Sequence, residues 1–303
     1  MSSSPTAPFA PNAPTGNPTI LKSVDLEKSN VEHAESESKK VDWYQPEIKA
    51  LPSSTMEVFK NYTGFQTEEE MKTHIYRVRD KAWKVLPYPC IGIFRFLDFS
   101  IHLSPEYPNV VSRLQNGETL LDLGCCFGHD LRKAAYDSGS SSNLYGADLE
   151  GQFIELGYEL FQDKDKFNGQ FNIGSVFDDS FMTDCDAKFD MIYLGSFLHL
   201  FNAQQQRAIA RKVNRMLKPK AGSMVFGRNL GAEEGGEYHL KTIGWDMYRH
   251  SNETMRRLWE HKNEGKWQID SFLTKNESEV WDKSRRGWQE NTTQMMVFVA
   301  KRV

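Results

Sequence analysis

The stretch LLDLGCCFG at residues 120–128 decides the fold class of this chain. An apolar strand ends at Asp122, the chain turns at Gly124, and Gly128 begins a helix. Glycine is needed where the backbone turns tightly or approaches a ligand, because a Cβ atom would collide there. In doubly wound sheets, ligands bind at the carboxyl ends of strands, where such turns lie. The stretch therefore predicts a strand–turn–helix unit of an α/β fold, with a ligand site at the turn.

Strands and helices alternate on the carboxyl side of this turn. Strand candidates lie at residues 119–123, 144–148, 170–173, 189–194 and 223–228, with helical patterns at 129–137, 152–161 and 203–217. After residue 230, a predicted glycine-rich loop leads to a helical region near 253–261 and to a last strand at 294–301. This rhythm predicts an α/β, doubly wound, Rossmann-like sheet wrapped by helices.

Two cofactors compete for the first turn. Dinucleotide sites use G-x-G-x-x-G, whose second glycine lets the backbone touch the pyrophosphate. Cys126 occupies that position here and Phe127 follows it, so a side chain obstructs this approach. S-adenosylmethionine has no phosphate and needs a tight turn, backbone N–H groups and an acidic partner for its ammonium group. Asp122 offers that partner, so the turn favours S-adenosylmethionine over the NAD of a dehydrogenase.

The other strand ends offer what the rest of this cofactor needs. Asp148 ends the second strand, where a carboxylate accepts both ribose hydroxyls; the alternative is an N-cap of the next helix. Val176 and Phe177 follow the third strand and are placed to sandwich adenine, with core packing as the alternative. The predicted cofactor-binding residues are Asp122, Leu123, Gly124, Cys125, Gly128, Asp148, Leu149, Ser175, Val176, Phe177, Asp178, Gly195 and Ser196.

The chain before residue 117 differs from the α/β part. Residues 1–40 carry spaced prolines among small polar residues and too few apolar ones to offset the entropy of ordering, which predicts a disordered tail. Residues 41–116 predict a helical cap or substrate lid, with a helical pattern at 53–86, a capping box at 67–70 and an apolar helix or pocket lid at 90–103. Residues 117–303 form the predicted cofactor-binding core.

Composition excludes several classes of function. The chain has 303 residues, of which 39% are hydrophobic, and its net charge of −4 shows no excess of the basic residues that a nucleic-acid binder carries. Since no apolar run has the length of a membrane span and no signal-peptide pattern begins the chain, we expect a cytoplasmic protein with a small-molecule substrate. The four cysteines show no metal-ligand spacing, so we expect neither a metal site nor a disulfide framework.

The sequence resembles the class I S-adenosylmethionine-dependent methyltransferases of fungal secondary metabolism. The resemblance is closest to the group that methylates acids in meroterpenoid biosynthesis, and it covers the chain from about Met56 to the C-terminus. It rests on the segments at residues 78–92, 94–98, 121–128, 143–148, 153–157 and 197–201. It implies a seven-stranded sheet whose last strand runs antiparallel, and N-terminal helices over the substrate pocket. Ser175 departs from the family, whose members often carry an acidic residue there.

The chemistry predicts few catalytic groups. A carboxylate, with a pKa of about 4, is already ionised at neutral pH, whereas a phenol, at about 10, would profit from a base. His199, which in this fold's usual arrangement faces the transferred methyl, is the candidate base or substrate hydrogen-bond donor; the alternative is a helix-start histidine bonded to backbone. Arg95 and Arg228 are candidate clamps for a substrate carboxylate, with surface or interdomain ion pairs as the alternative.

The sequence is consistent with three functions. The leading prediction is methyl transfer to a carboxylate of a meroterpenoid or polyketide-type intermediate, which gives a methyl ester. A phenolic O-methyltransferase or another small-molecule methyltransferase comes second, and a non-catalytic module with the same fold comes third. The apolar N-terminal region is suited to a homodimer contact as well as to a lid.

Overall fold

The computed structural model describes residues 39–240, 245–260, 265–275 and 293–303, together with Ser278 and Val280. The predicted disordered tail therefore lies outside the described residues except for its last two positions. No helix in the described ranges combines the length and the apolar content needed to cross a bilayer.

Seven strands form one mixed sheet, as the family resemblance implies. The strands of the chain are β1 (Leu120–Leu123), β2 (Leu144–Asp148), β3 (Gln170–Ile173), β4 (Met191–Gly195), β5 (Met224–Gly231), β6 (Gly236–Leu240), β7 (Trp245–Arg249), β8 (Trp267–Lys275) and β9 (Gln294–Arg302). The sheet has the order β3-β2-β1-β4-β5-β9-β8. The first five strands are parallel, and β9 runs antiparallel to both β5 and β8. The predicted doubly wound fold and its antiparallel last strand are confirmed.

Helices cover both faces of this sheet. They are α1 (Ser53–Asn61), α2 (Glu68–Val85), α3 (Pro89–Gly92), α4 (Tyr107–Gln115), α5 (His129–Ser138), α6 (Gly151–Phe161), α7 (Ala203–Met216) and α8 (Asn252–Glu260). Successive residues of a strand point to opposite faces. Leu121 accordingly packs with Val213 of α7, and Leu120 packs with Leu131 of α5.

The glycine-rich stretch after residue 230 was predicted as a loop, and this is wrong in part. β5 extends to Gly231, and β6 pairs with β7 in an antiparallel hairpin between β5 and α8. The sequence pattern also missed β8. Its residues alternate between partly buried and exposed positions at the edge of the sheet, so it lacks the apolar run that marks the inner strands.

The predicted capping box forms at the start of α2. Thr67 Oγ1 accepts from the backbone N–H of Glu70 (3.2 Å), and Glu70 Oε2 accepts from the N–H of Thr67 (3.1 Å). The predicted helix at residues 90–103 is wrong, because Phe94 and Phe99 adopt left-handed φ values of 58° and 45° that break it into short turns. Both phenylalanine rings are fully buried. The free energy gained by burying both rings exceeds what one continuous helix would contribute.

The cap and the core share a hydrophobic cluster. Phe96 meets Phe127 edge-on at 4.8 Å between ring centroids, and Phe99 packs on Phe161 of α6 at 6.2 Å. The cap thus lies directly on the helices that follow β1 and β2. The division of the chain at residue 116/117 stays a prediction.

Candidate cofactor and substrate site

The glycine turn after β1 closes onto β2 and β4. The backbone N–H groups of Gly124 and Cys125 both donate to the carbonyl of Ala147, at 2.8 and 3.1 Å. Gly124 has a φ of +83°, and a Cβ atom there would collide with the ring of Phe197, which follows β4. Glycine is therefore required twice, for its backbone conformation and for the space that Phe197 fills.

Asp148 joins this turn to the end of β2. Its Oδ2 accepts from the N–H of Cys126 (2.8 Å) and its Oδ1 from the N–H of Glu150 (3.0 Å). The N-cap of α6 is Glu150, whose side chain accepts from Gln152 N (3.0 Å), so the N-cap alternative for Asp148 is wrong. Beside it, Leu149 exposes 49% of its surface, an apolar group left for a ligand to cover.

Asp122 and Asp130 form a buried pair of carboxyl groups close to the turn. Asp122 is 2% exposed, and burial together with the charges of Asp130 and Asp148 raises its pKa well above the ordinary value. Burial also raises the pKa of Asp130, to about 7, although the carboxylate accepts a hydrogen bond from Ile101 N (3.0 Å). A buried group of carboxylates favours a cationic ligand such as an ammonium group. The sequence offered no signal for Asp130, because only the fold brings it beside Asp122.

The chain that follows β3 is hydrogen-bonded to the end of β2. The N–H of Gly174 donates to the carbonyl of Asp148 (3.0 Å). Ser175 Oγ accepts from Phe177 N (3.2 Å), which shapes the turn. Val176 is buried in the main core cluster, whereas Phe177 keeps part of its surface and meets Phe201 edge-on at 5.2 Å. Asp178 is exposed. The end of β3 therefore lies beside the end of β2. The burial of Val176 is largely explained by packing in the core, the alternative considered for this residue.

The loop after β4 is held by β5. Ser196, at a left-handed φ of 52°, donates its N–H to the carbonyl of Arg228 (2.8 Å). Asn229 Oδ1 accepts from the N–H groups of Phe197 (2.9 Å) and Leu198 (2.8 Å), and its Nδ2 donates to the Leu194 carbonyl (3.0 Å). Sequence reasoning missed Asn229, although an amide within a buried strand is a signal, because such a group needs partners.

His199 lies in the same loop. Its Nδ1 accepts from the N–H of Leu230 (3.2 Å), and burial lowers its pKa to about 3. The residue as a whole is half-buried. The backbone-bonded alternative is therefore correct for Nδ1, and it leaves Nε2 for a ligand.

Arg95 and Arg228 are both buried, so neither belongs to a surface ion pair. Arg95 Nε lies 3.3 Å from Asp98 Oδ2. Arg228 pairs in register with Gly195 at the tip of β4, and among the described residues its Nη1 has no hydrogen-bond partner. Burial and the nearby charge of Arg95 lower the pKa of Arg228 to about 10.

Tyr193 adds a second donor beside this guanidinium. Its hydroxyl is buried, and no described residue hydrogen-bonds to it. A Cβ atom on Gly195 would lie 2.8 Å from the Tyr193 hydroxyl, so this hydroxyl is close to Gly195. Gly195 pairs in register with Arg228 on the neighbouring strand, so the hydroxyl also lies near Arg228. Two buried donors without partners at one strand tip mark a place for a ligand oxygen.

Comparisons with known proteins agree with this geometry. Residues 43–97 match the meroterpenoid methyltransferase N-terminal domain, and residues 120–220 match a methyltransferase domain. The chain is 37% identical to O-methyltransferase atr3 of Stereocaulon alpinum over 253 residues, which cover 80% of this chain and 73% of that one. It is 33% identical to methyltransferase adrK of Penicillium roqueforti, over 77% of this chain and 87% of the relative.

A solved structure shares the fold. Phosphoethanolamine N-methyltransferase 2 of Haemonchus contortus, determined with phosphomonomethylethanolamine and S-adenosylhomocysteine, aligns with a TM-score of 0.51 at 14% identity. The alignment covers 75% of this chain and 60% of that protein. The buried carboxyl groups, the glycine turn and the exposed Leu149 have the chemistry needed to hold the ammonium group, the methionine end and the adenosine of S-adenosylmethionine. The chain therefore belongs to the S-adenosylmethionine-dependent methyltransferases of fungal secondary metabolism that carry the meroterpenoid methyltransferase N-terminal domain.

Proposed function

We propose that this enzyme transfers a methyl group to a carboxylate oxygen of a meroterpenoid or polyketide-type acid, so that the product is a methyl ester. The observation that carries the proposal is Arg228, a buried guanidinium whose Nη1 has no partner among the described residues. Burying a charge without full hydrogen bonding is unfavourable unless a ligand completes the site. A carboxylate is the anion that a guanidinium binds with two parallel hydrogen bonds.

The charge balance around Arg228 supports an anionic substrate. Arg95 and Arg228 lie close enough for the charge of Arg95 to lower the pKa of Arg228, and Asp98 and Asp130 are the carboxyl groups whose charges act on Arg228 in the opposite direction. Asp98 also accepts from Ser278 Oγ (2.6 Å), so it is shared among several donors. Because the pKa of Asp130 is raised to about 7, this carboxyl group is only partly ionised at neutral pH, and a substrate carboxylate would balance the remaining positive charge of the two guanidinium groups.

The proposed roles follow from these positions. The bound cofactor supplies an electrophilic methyl group on sulfur. Asp122 and the glycine turn hold its methionine end, and Asp148 its ribose. Leu149, Val176 and Phe177 flank its adenine, with Ser175 and Asp178 at the edge. Arg95 and Arg228 orient the substrate carboxylate, so that catalysis comes mainly from alignment of the oxygen with the methyl group and from exclusion of water.

Two relatives lend weight to an oxygen acceptor. The proteins named O-methyltransferase atr3 and O-methyltransferase phiE are 37% and 36% identical to this chain. A phenolic oxygen remains the second candidate, since a phenol would also be an O-methyl acceptor. The homodimer contact considered for the cap stays a prediction.

The test is transfer of a labelled methyl from S-adenosylmethionine to a panel of prenylated and unprenylated aromatic acids and to their phenolic analogues without a carboxyl group. Treatment of the products with mild alkali follows. Label released as methanol supports the carboxylate, because esters hydrolyse under these conditions. Label that survives alkali, or equal turnover of the analogues, would show that the acceptor is another atom.

A further inference from the structure

The loop after β4 owes its shape to three consecutive residues of β5. The carbonyl of Arg228, the side-chain amide of Asn229 and the N–H of Leu230 each bond to this loop. β5 continues past the end of β4, so these groups have no strand partner on that side and bind the loop instead. The loop is thereby held against the cofactor turn, where Phe197 packs over Gly124.

The bond from Leu230 determines which nitrogen of His199 carries a proton. Because the N–H of Leu230 needs an acceptor, Nδ1 is unprotonated, and the proton of the neutral ring is on Nε2. Burial lowers the pKa of this histidine to about 3; the Asn229 side chain acts in the opposite direction and Arg249 and Arg95 in the same one, so the ring is neutral at physiological pH. Its one basic lone pair is already used by Leu230.

We infer that His199 donates a hydrogen bond from Nε2 to the acceptor oxygen of the substrate, and that Asn229 and Leu230 are the positioning residues that hold it in this tautomer. The inference rests on the proposed function, since it concerns the same oxygen. A ring without an available lone pair cannot accept a proton from the nucleophile. The site therefore selects an oxygen that is ionised before it binds, which a carboxylate is at neutral pH and a phenol is not.

Two substitutions separate a donor from a base. His199→Gln places an N–H donor near the position of Nε2 and offers no basic nitrogen, whereas His199→Ala removes donor and base together. We expect kcat/KM for the acid substrate to stay within about threefold of wild type in His199→Gln and to fall about 10- to 100-fold in His199→Ala, the effect of one hydrogen bond to a charged group. Equal losses in both variants would overturn the donor role.

The pH dependence gives a second readout. A donor that stays neutral predicts that wild type and His199→Gln have the same pH profile of kcat/KM from pH 6 to 9, including any contribution from Asp130, whose pKa is about 7. A base predicts a limb that rises with pH and disappears in His199→Gln, and that result would contradict the inference. Nitrogen NMR of the protein labelled at its eight histidines, assigned by difference with His199→Gln, should show Nε2 protonated and Nδ1 unprotonated across pH 5 to 9.

Asn229→Ala tests the positioning role. We expect kcat to fall about tenfold or more, and the His199 resonances to move toward a mixture of tautomers. Unchanged resonances would exclude this role. The two proposals fail differently: an alkali-stable product overturns the proposed function, whereas an alkali-labile product with a base-like pH limb overturns only the role of His199.

Discussion

The backbone N–H of Cys126 donates to Asp148 Oδ2 at 2.8 Å, so that one carboxylate ties the turn after β1 to the end of β2. Its other oxygen accepts from Glu150 N, at the start of α6. Asp148 thus shapes both walls of the proposed ribose site before any ligand arrives. Its position also explains why burial, rather than an ion pair, dominates its raised pKa.

Replacement of Asp148 should abolish cofactor binding. Asp148→Ala removes the acceptor for Cys126 and the proposed partner of the ribose hydroxyls, so we expect the Kd of S-adenosylhomocysteine to rise about 100-fold or more in calorimetry. Glu150→Ala is the matched control, because it removes only the cap of α6 and should leave the affinity nearly unchanged. Unaltered binding by Asp148→Ala would refute the ribose assignment.

Gly124 and Gly139 have nearly the same backbone conformation but different surroundings. Their φ values are +83° and +81°, and a Cβ atom meets Phe197 at Gly124 and nothing within 4 Å at Gly139. Gly139→Ala should cost about 1–2 kcal/mol of unfolding free energy through backbone strain alone. Gly124→Ala should lower the melting temperature further and weaken S-adenosylhomocysteine binding. If Gly124→Ala and Gly139→Ala changed the melting temperature and the binding of S-adenosylhomocysteine equally, contact with Phe197 would have no effect on either property.

Asp130 should make stability depend on pH. Its folded pKa of about 7 lies above the ordinary value of about 4, so the stability that it contributes at low pH is lost as the pH rises through 7. The facing groups are Asp98, His102, Asp122 and Arg228, with His129 Nε2 at 3.7 Å.

Asp130→Asn keeps an acceptor for Ile101 and removes the charge. We expect it to melt about 2 °C or more above wild type at pH 8, with a smaller difference at pH 4.5. Asp165→Asn, at an exposed position, is the control and should show no such trend. A pH-independent difference for Asp130→Asn would mean that the carboxyl does not titrate in this range.

Arg228 should lower the stability of the protein and raise its activity toward the acid substrate. Arg228→Met removes a buried charge with an unpaired N–H, so we expect a higher melting temperature together with a loss of about 10- to 100-fold in kcat/KM for the acid. Arg211→Met, on the exposed side of α7, should change neither. If S-adenosylhomocysteine binds Arg228→Met more weakly while 5′-methylthioadenosine binds as before, Arg228 contacts the carboxylate of the cofactor instead of the substrate.

Local sequence patterns predicted most of the fold and the cofactor side of the candidate site. β2 and β3 begin and end where the apolar runs do, and the glycine turn with Asp122 and Asp148 pointed to the cofactor. The patterns failed where neighbours decide the structure. The helix predicted at residues 90–103 is broken by two left-handed phenylalanines, and the edge strand β8 has no continuous apolar run.

The alternation of β1–β5 with their helices, the glycine turn and the family were predictable, because these depend on residues that are adjacent in the chain. Folding alone brings Asn229 and Leu230 to the loop of His199, Asp130 beside Asp122, and Arg228 into a buried position next to Tyr193. These relationships join strands that are distant along the chain. Their energetics depend on burial and on the direction of hydrogen bonds, which no local pattern of residues contains.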